Sequence, residues 1–185
     1  MQHASRYTAP AIGLHWIVFL AVVCGWALGQ YVSGLPFSPQ KLRYVSWHKW
    51  IGVSVFALAI ARIAWRWYRP APALPASMSL GQRRMARALH VLLYALLMVI
   101  PVTGWLYSSA AGVPTVWLGL VQLPDLLHKD KPIADAIRQI HSYLNWTLLA
   151  LVAGHAAFAL KHHFVDRDEV LARMIPALKP RNRMP

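Results

Sequence analysis

Two histidines in the last apolar stretch, His141 and His155, are the residues whose type and spacing most directly suggest chemistry. They are 14 residues apart. Fourteen helical steps of about 100° and about 1.5 Å return to nearly the same face after about 21 Å. One face of one helix would therefore carry an imidazole near each end. Such rings are costly in a membrane and usually mark a function, although a helix–helix hydrogen bond is the simpler alternative.

Three further histidines lie inside apolar stretches. If successive stretches cross the membrane in opposite directions, all five histidines fall at two depths. His48 shares the depth of His141, and we call this pair the outer level. His15 and His90 share the depth of His155, and we call these three the inner level. A b-type haem needs two axial ligands at one depth from different helices, and two imidazoles can supply them. Zinc fits less well, because it favours four protein ligands, or three and water.

Two glycines follow histidines at the same interval of 14 residues, Gly29 after His15 and Gly104 after His90. On that geometry both face the outer level, where a missing side chain would admit a porphyrin ring. Close helix packing through the Gly25-x-x-x-Gly29 pair is the alternative.

Arg62 follows His48 at this interval and is expected at the inner level. It could pair there with a haem propionate or a quinone carbonyl, or it could simply extend to the interface. The remaining histidines lie in polar contexts or at a segment end and are expected at the surface: His3, His128, His162 and His163.

The composition is typical of a membrane protein, with 57% hydrophobic and 14% charged residues in 185. Four stretches reach the length of about 20 residues that a bilayer requires, at about 13–32, 47–67, 86–108 and 137–160. Short links between them predict an up-down four-helix bundle, an all-α integral membrane protein in one domain over 1–185. The two histidine levels add two stacked b haems to this expected fold. The single Cys24 excludes an intramolecular disulfide and a CxxCH attachment, so haem would bind non-covalently.

The net charge is +13, and the basic residues that produce it lie at the ends of the apolar stretches rather than along one face. Thirteen of the 19 Lys and Arg residues fall on the side of the termini and six on the other. This predicts cytoplasmic termini and contact with membrane lipid rather than nucleic acid. A short interfacial helix near Val116–Leu120 and an amphipathic surface helix after Val165 are expected in the polar segments.

The chain resembles the bacterial cytochromes b561, within a wider group of di-haem four-helix cytochromes b that includes membrane subunits of hydrogenases and formate dehydrogenases. The resemblance covers essentially the whole chain. It rests on GLHW around His15, WHKWIG around His48, ARALHVLLYALLMVIPVTGWL around His90, and the pair in the fourth helix.

The resemblance implies metal ligation by His15 with His155 and by His48 with His141, which leaves His90 as a possible quinone contact or a rival partner of His155. It also implies an oxidoreductase of the bacterial inner membrane that passes electrons from superoxide through two b haems to ubiquinone. Lys49, Arg138 and Lys131 would guide the anion at the outer face. The first alternative is a membrane anchor subunit that links a dehydrogenase or hydrogenase to the quinone pool, and the second is a non-enzymatic haem protein or transport-related membrane component.

Overall fold

Four long helices make up most of the chain in the computed structural model, which describes residues 6–75 and 78–178. Their bounds are α1 Ala9–Ser33, α2 Pro39–Tyr68, α3 Leu80–Ala110 and α4 Lys131–Lys161. A hairpin of two strands, β1 Val116–Trp117 and β2 Val121–Gln122, joins α3 to α4, and a π-helix, His162–Asp166, follows α4. His3 and the basic residues of 179–183 lie outside the described residues.

All four helices are long and apolar enough to cross a membrane. Each extends beyond the apolar stretch that predicted it, most clearly α2, which begins at Pro39 rather than 47, and α4, which begins at Lys131 rather than 137. Polar caps account for the difference. Ser38 accepts a hydrogen bond from the backbone of Lys41, and Asp130 caps α4 in the same way. Hydrophobic length marks the lipid-facing part of a helix, whereas its caps determine where it ends.

The helices pack in chain order, α1 on α2, α2 on α3 and α3 on α4. The first and last helices meet through side chains, as in the edge-to-face pair Trp26–Trp146. Buried aliphatic residues fill the middle of the bundle: Val18, Val55, Ala59, Leu96, Leu97, Ile100 and Leu148. Leu148 lies midway along α4 between His141 and His155, so this core separates the two histidine levels.

The segment after α3 is a β-hairpin, and the short helix expected near Val116–Leu120 is wrong. Leu118 and Gly119 both have positive φ angles, 53° and 73°, which turn the chain back on itself. The indole of Trp50 donates to the carbonyl of Val116 at 2.6 Å, and that of Trp117 donates to Ser54 at 3.3 Å. These bonds attach the hairpin to α2.

The described part of the C-terminal segment contains the π-helix and a series of turns, so the amphipathic helix expected after Val165 is also wrong. Arg167 has a φ of 53°, a left-handed conformation that ends the helical path. The segment then returns to the bundle. The indole of Trp16 donates to the carbonyl of Met174 at 3.0 Å, and Arg173 donates to the carbonyl of Ala73 at 2.5 Å.

Candidate functional site

The outer level brings together one ring from α2 and one from α4. The ring centroids of His48 and His141 are 6.2 Å apart, with the planes at 85°. Nδ1 of His48 lies 2.9 Å from the carbonyl oxygen of Gly25, and Nδ1 of His141 lies 3.1 Å from that of Ile100. A carbonyl only accepts, so both rings carry their hydrogen on Nδ1 and keep the Nε2 lone pair for a metal.

Both glycines predicted at the outer level lie directly against these imidazoles. A Cβ on Gly29 would be 2.9 Å from Cε1 of His48, and a Cβ on Gly104 would be 3.1 Å from Cε1 of His141. The missing side chains therefore make room for the histidine rings themselves. Clearance for a porphyrin at the same positions stays a prediction.

Three histidines meet at the inner level. The ring centroids of His15 and His155 are 6.2 Å apart, and those of His90 and His155 are 5.2 Å apart. Nδ1 of His90 donates to the carbonyl of Ala86 in its own helix at 2.7 Å.

The centroid spacing distinguishes these pairs. Each imidazole nitrogen lies about 2.0 Å from a bound metal and about 1.1 Å from its ring centre, so two rings on opposite sides of one iron have centres about 6.2 Å apart. His48 and His141 have this spacing, and so do His15 and His155. The 5.2 Å between His90 and His155 is about 1 Å shorter than this spacing.

Arg62 lies at the inner level, where its Nη2 is 2.7 Å from Nδ1 of His15 and its Nε donates to the Tyr94 hydroxyl at 3.0 Å. A guanidinium only donates, so Nδ1 of His15 accepts and the ring hydrogen is on Nε2 in this arrangement. Binding of iron through Nε2 would require that hydrogen to leave and Arg62 to release Nδ1. The guanidinium would then be available to a propionate.

Tyr94 is a residue of this site that sequence reasoning missed. It follows His90 by four residues in α3 and so shares its helix face. Thr103, three residues after Ile100 in the same helix, was also missed, and its Oγ1 lies 2.9 Å from Nδ1 of His141. An (i, i+4) search from each histidine would have found Tyr94.

A cavity of about 380 Å³ opens beside the three inner histidines, within the range of small-molecule sites. All four helices line it, and the α2–α3 link and the C-terminal segment add Pro72, Leu74, Val170 and Leu171. The outer cavity is about 60 Å³. A porphyrin at the outer level would therefore extend into the grooves between helices.

His162 is buried, with 2% of its surface exposed, and its predicted surface position is wrong. The turn at Arg167 brings Asp168 back onto the ring, 2.5 Å from Nδ1. Arginine rarely adopts this left-handed conformation, so the residue type at 167 gave no signal for the turn. His163 is partly exposed and His128 is exposed.

The three basic residues expected to guide an anion have different surroundings. Lys49 is partly buried and donates to the carbonyls of Val113 and Pro114 at 2.9 and 3.2 Å. Lys131 forms an exposed ion pair with Asp135 at 2.7 Å. Arg138 is exposed and makes no hydrogen bond or ion pair within the described part of the chain, so no carboxylate contact neutralises its charge.

Comparison with known proteins identifies the group to which this arrangement belongs. A family model described as prokaryotic cytochrome b561 matches residues 6–177. Cytochrome b561 homolog 2 of Escherichia coli strain K12 is 33% identical over 92% of this chain and 91% of its own length. A probable superoxide oxidase, CybB, of Yersinia pestis is 28% identical over 92% and 96%. Cytochrome b561 homolog 1 of the same Escherichia coli strain is 27% identical over 95% and 99%.

The four membrane-spanning helices, the paired histidines and these matches lead to one conclusion. The chain belongs to the prokaryotic cytochrome b561 family, the membrane-bound, haem b-binding proteins of electron transfer.

Proposed function

We propose that this cytochrome b561 carries electrons across the bacterial inner membrane through two b haems, one at each histidine level. His48 and His141 would hold the outer haem, and His15 and His155 the inner one. The observation that supports this most directly is the 6.2 Å ring spacing, which recurs at both levels. A haem supplies one-electron chemistry, and the protein supplies the axial imidazoles and the apolar surroundings.

We further propose superoxide as the electron donor and ubiquinone as the acceptor, with both termini in the cytoplasm. The relative from Yersinia pestis is named a probable superoxide oxidase, which supports the donor. The inner cavity supports the acceptor, because it is mostly apolar and places Arg62 and Tyr94 where they could donate to a quinone carbonyl. Nδ1 of His90 already donates to Ala86, so this ring could donate to the quinone from Nε2 when it is protonated.

A stopped-flow experiment tests this function. Purified oxidised protein is mixed with a pulse of superoxide, and haem reduction is followed with and without ubiquinone. We expect rapid reduction, followed by reoxidation only when quinone is present. If superoxide reduces no haem and the protein instead copurifies with an iron–sulfur dehydrogenase subunit, the anchor function takes the place of the superoxide function.

His90→Ala should keep two low-spin haems but slow quinone reduction by about tenfold, the scale of one hydrogen bond worth ~1.4 kcal/mol. The rings of His90 and His155 are about 1 Å closer than the 6.2 Å spacing of the other two pairs, which supports a role for His90 beside the quinone rather than on iron. Haem spectra and the reoxidation rate by ubiquinone measure the two effects.

Val91→Ala is the matched control, because Val91 is the next residue and is 69% exposed. A His90→Ala protein that has lost one haem would make His90 the axial ligand and leave His15 as its neighbour.

Arg138→Gln should slow haem reduction by superoxide about two- to tenfold at low salt and weaken the salt dependence of that rate, because salt screens attraction between exposed charges. Arg138 is preferable to Lys49, whose loss would also release the loop after α3. Neutralising Lys49, Lys131 and Arg138 together should give the largest decrease.

Arg84→Gln is the control for Arg138→Gln, since Arg84 is exposed and lies at the opposite end of the bundle. Quinone reduction from pre-reduced haem should be unchanged in both. An Arg138→Gln protein with the parental superoxide rate at low salt would show that this charge guides nothing.

A further inference from the structure

A histidine–aspartate pair lies just beyond the end of α4, outside the two histidine levels. The side chain of His162 is 98% buried, and its Nδ1 is 2.5 Å from Oδ2 of Asp168 and 3.2 Å from Oδ2 of Asp166. Its Nε2 is fully buried and has no hydrogen-bond partner among the described residues. A buried polar atom without a partner needs an explanation, and a proton-transfer role is one.

Asp168 connects this pair to the wall of the inner cavity. Its Oδ1 accepts from the backbone of Val170 at 2.9 Å, and its own backbone donates to the carbonyl of His162 at 3.0 Å. Val170 lines the cavity. Lys161 binds both oxygens of Asp166, at 2.9 and 2.7 Å, so Asp168 is the principal carboxylate partner of the histidine.

The π-helix is the reason for this placement. It widens the last turn of α4 over His162–Asp166, and the left-handed Arg167 then reverses the chain. Short π-helical segments often occur at functional sites. Here the segment turns a basic side chain inward at a helix end where the sequence predicted exposure.

Among the described residues, those that line the cavity beside the inner histidines include no carboxyl group. The whole chain has six acidic residues. Three of them belong to the outer half, and the other three are Asp166, Asp168 and Glu169. The carboxylates nearest in sequence to the inner cavity wall are therefore concentrated in this segment.

Reduction of a quinone consumes protons as well as electrons. One quinone accepts two electrons, from two successive oxidations of ferrous to ferric haem, and two protons from water, and it leaves as quinol. An apolar cavity must obtain those protons through groups that can both accept and donate. A histidine oriented by a carboxylate has this property, because the carboxylate stabilises the ring when it is charged.

We propose that His162 and Asp168 form a proton-transfer pair that delivers protons from the aqueous face to a quinone reduced in the inner cavity. Asp168, whose side chain is 13% exposed, takes up the proton from the aqueous face, passes it to Nδ1 of His162 and stabilises the positive charge of the ring. The ring then releases the proton toward the cavity behind Val170. This role rests on the proposed reduction of quinone at the inner level.

Asp168→Asn in the haem-loaded protein is the central test, with a water-soluble ubiquinone analogue as acceptor. We expect quinol formation to fall about tenfold or more, with a larger solvent deuterium isotope effect, while haem content and reduction by dithionite stay unchanged. Formate or azide, which are small proton carriers, should restore the rate. His162→Gln should behave like Asp168→Asn, and Asp168→Glu should retain most of the activity.

Glu169→Gln is the matched control, because Glu169 is an exposed acid one residue away. An independent readout is infrared difference spectroscopy of the haem-loaded protein on reduction of bound quinone. Imidazole and carboxylate bands should change in the parent and in Glu169→Gln but not in Asp168→Asn. Thermal unfolding and trypsin cleavage after Arg167 measure any loosening of the segment.

Three results would overturn the assignment. An unchanged rate and isotope effect in Asp168→Asn would show that the pair carries no protons. A slower rate that comes with a loosened segment and no rescue by weak acids would make the pair a structural link. A parent protein that passes no electrons to quinone would instead refute the proposed acceptor, and this role with it.

Discussion

His155→Ala is expected to remove the inner haem and leave the outer one, and His141→Ala to do the reverse, so that each variant retains about half of the haem. The two histidines lie 14 residues apart on one face of α4, and each pairs with a ring from a different helix at 6.2 Å. An iron that loses one of two axial imidazoles loses the bond that holds its non-covalent porphyrin at that level. Pyridine haemochrome assays and redox titration measure the number and identity of the haems.

His128→Ala is the control for this pair, because it removes an exposed histidine outside both levels. Its haem content should equal that of the parent. If both α4 variants lost the same redox component, or if a fully loaded parent carried one haem or less, the assignment of two levels would be wrong.

Gly29→Ala is expected to weaken retention of the outer haem strongly, although it adds one methyl group. The new Cβ would be 2.9 Å from Cε1 of His48, closer than real contacts allow, so the ring or α1 must shift. Overpacking of this kind costs about 1–3 kcal/mol. That range corresponds to roughly 5- to 150-fold weaker haem retention, if the strain falls on the bound state. Haem transfer to apomyoglobin measures the loss.

Gly13→Ala provides a control in the same helix. A Cβ on Gly13 would meet nothing within 4 Å. The substitution should leave haem retention unchanged and stabilise α1 by about 0.5–1 kcal/mol, because alanine loses less backbone entropy than glycine. Equal haem retention in the two variants would show that the close approach to His48 has no functional consequence.

Periodicity, together with the alternating direction of the four apolar stretches, was sufficient to sort the histidines by depth. Helical rise is constant, so a difference of 14 residues converts directly into an axial distance, and His15, His90 and His155 do lie together. Periodicity does not determine which two of three rings have the separation that iron requires. The separation of two rings depends on how far each helix is rotated about its axis, and it must be correct to within about an ångström. Packing across the whole bundle determines that rotation.

The segments outside the helices were predicted less well, for a different reason. Apolar content near Val116–Leu120 is compatible with a helix or a strand, and the choice depends on indole hydrogen bonds from Trp50 and Trp117 to distant partners. The position of His162 depends on a nearer feature, the left-handed backbone of Arg167 five residues later, which an arginine does not signal. Contacts between residues far apart in sequence leave no local pattern.

If electrons pass between the two histidine levels as proposed, the 14-residue separation along α4 makes that step sensitive to voltage. An electron that moves between the two histidine levels travels about 21 Å along the helix axis, which is roughly two thirds of a hydrocarbon layer about 30 Å thick. Since one charge crossing the full layer exchanges about 2.3 kcal/mol per 100 mV, this step exchanges roughly 1.6 kcal/mol per 100 mV. With the inner level on the negative side of the membrane, an energised cell would oppose the inward transfer, and collapse of its membrane potential would favour it.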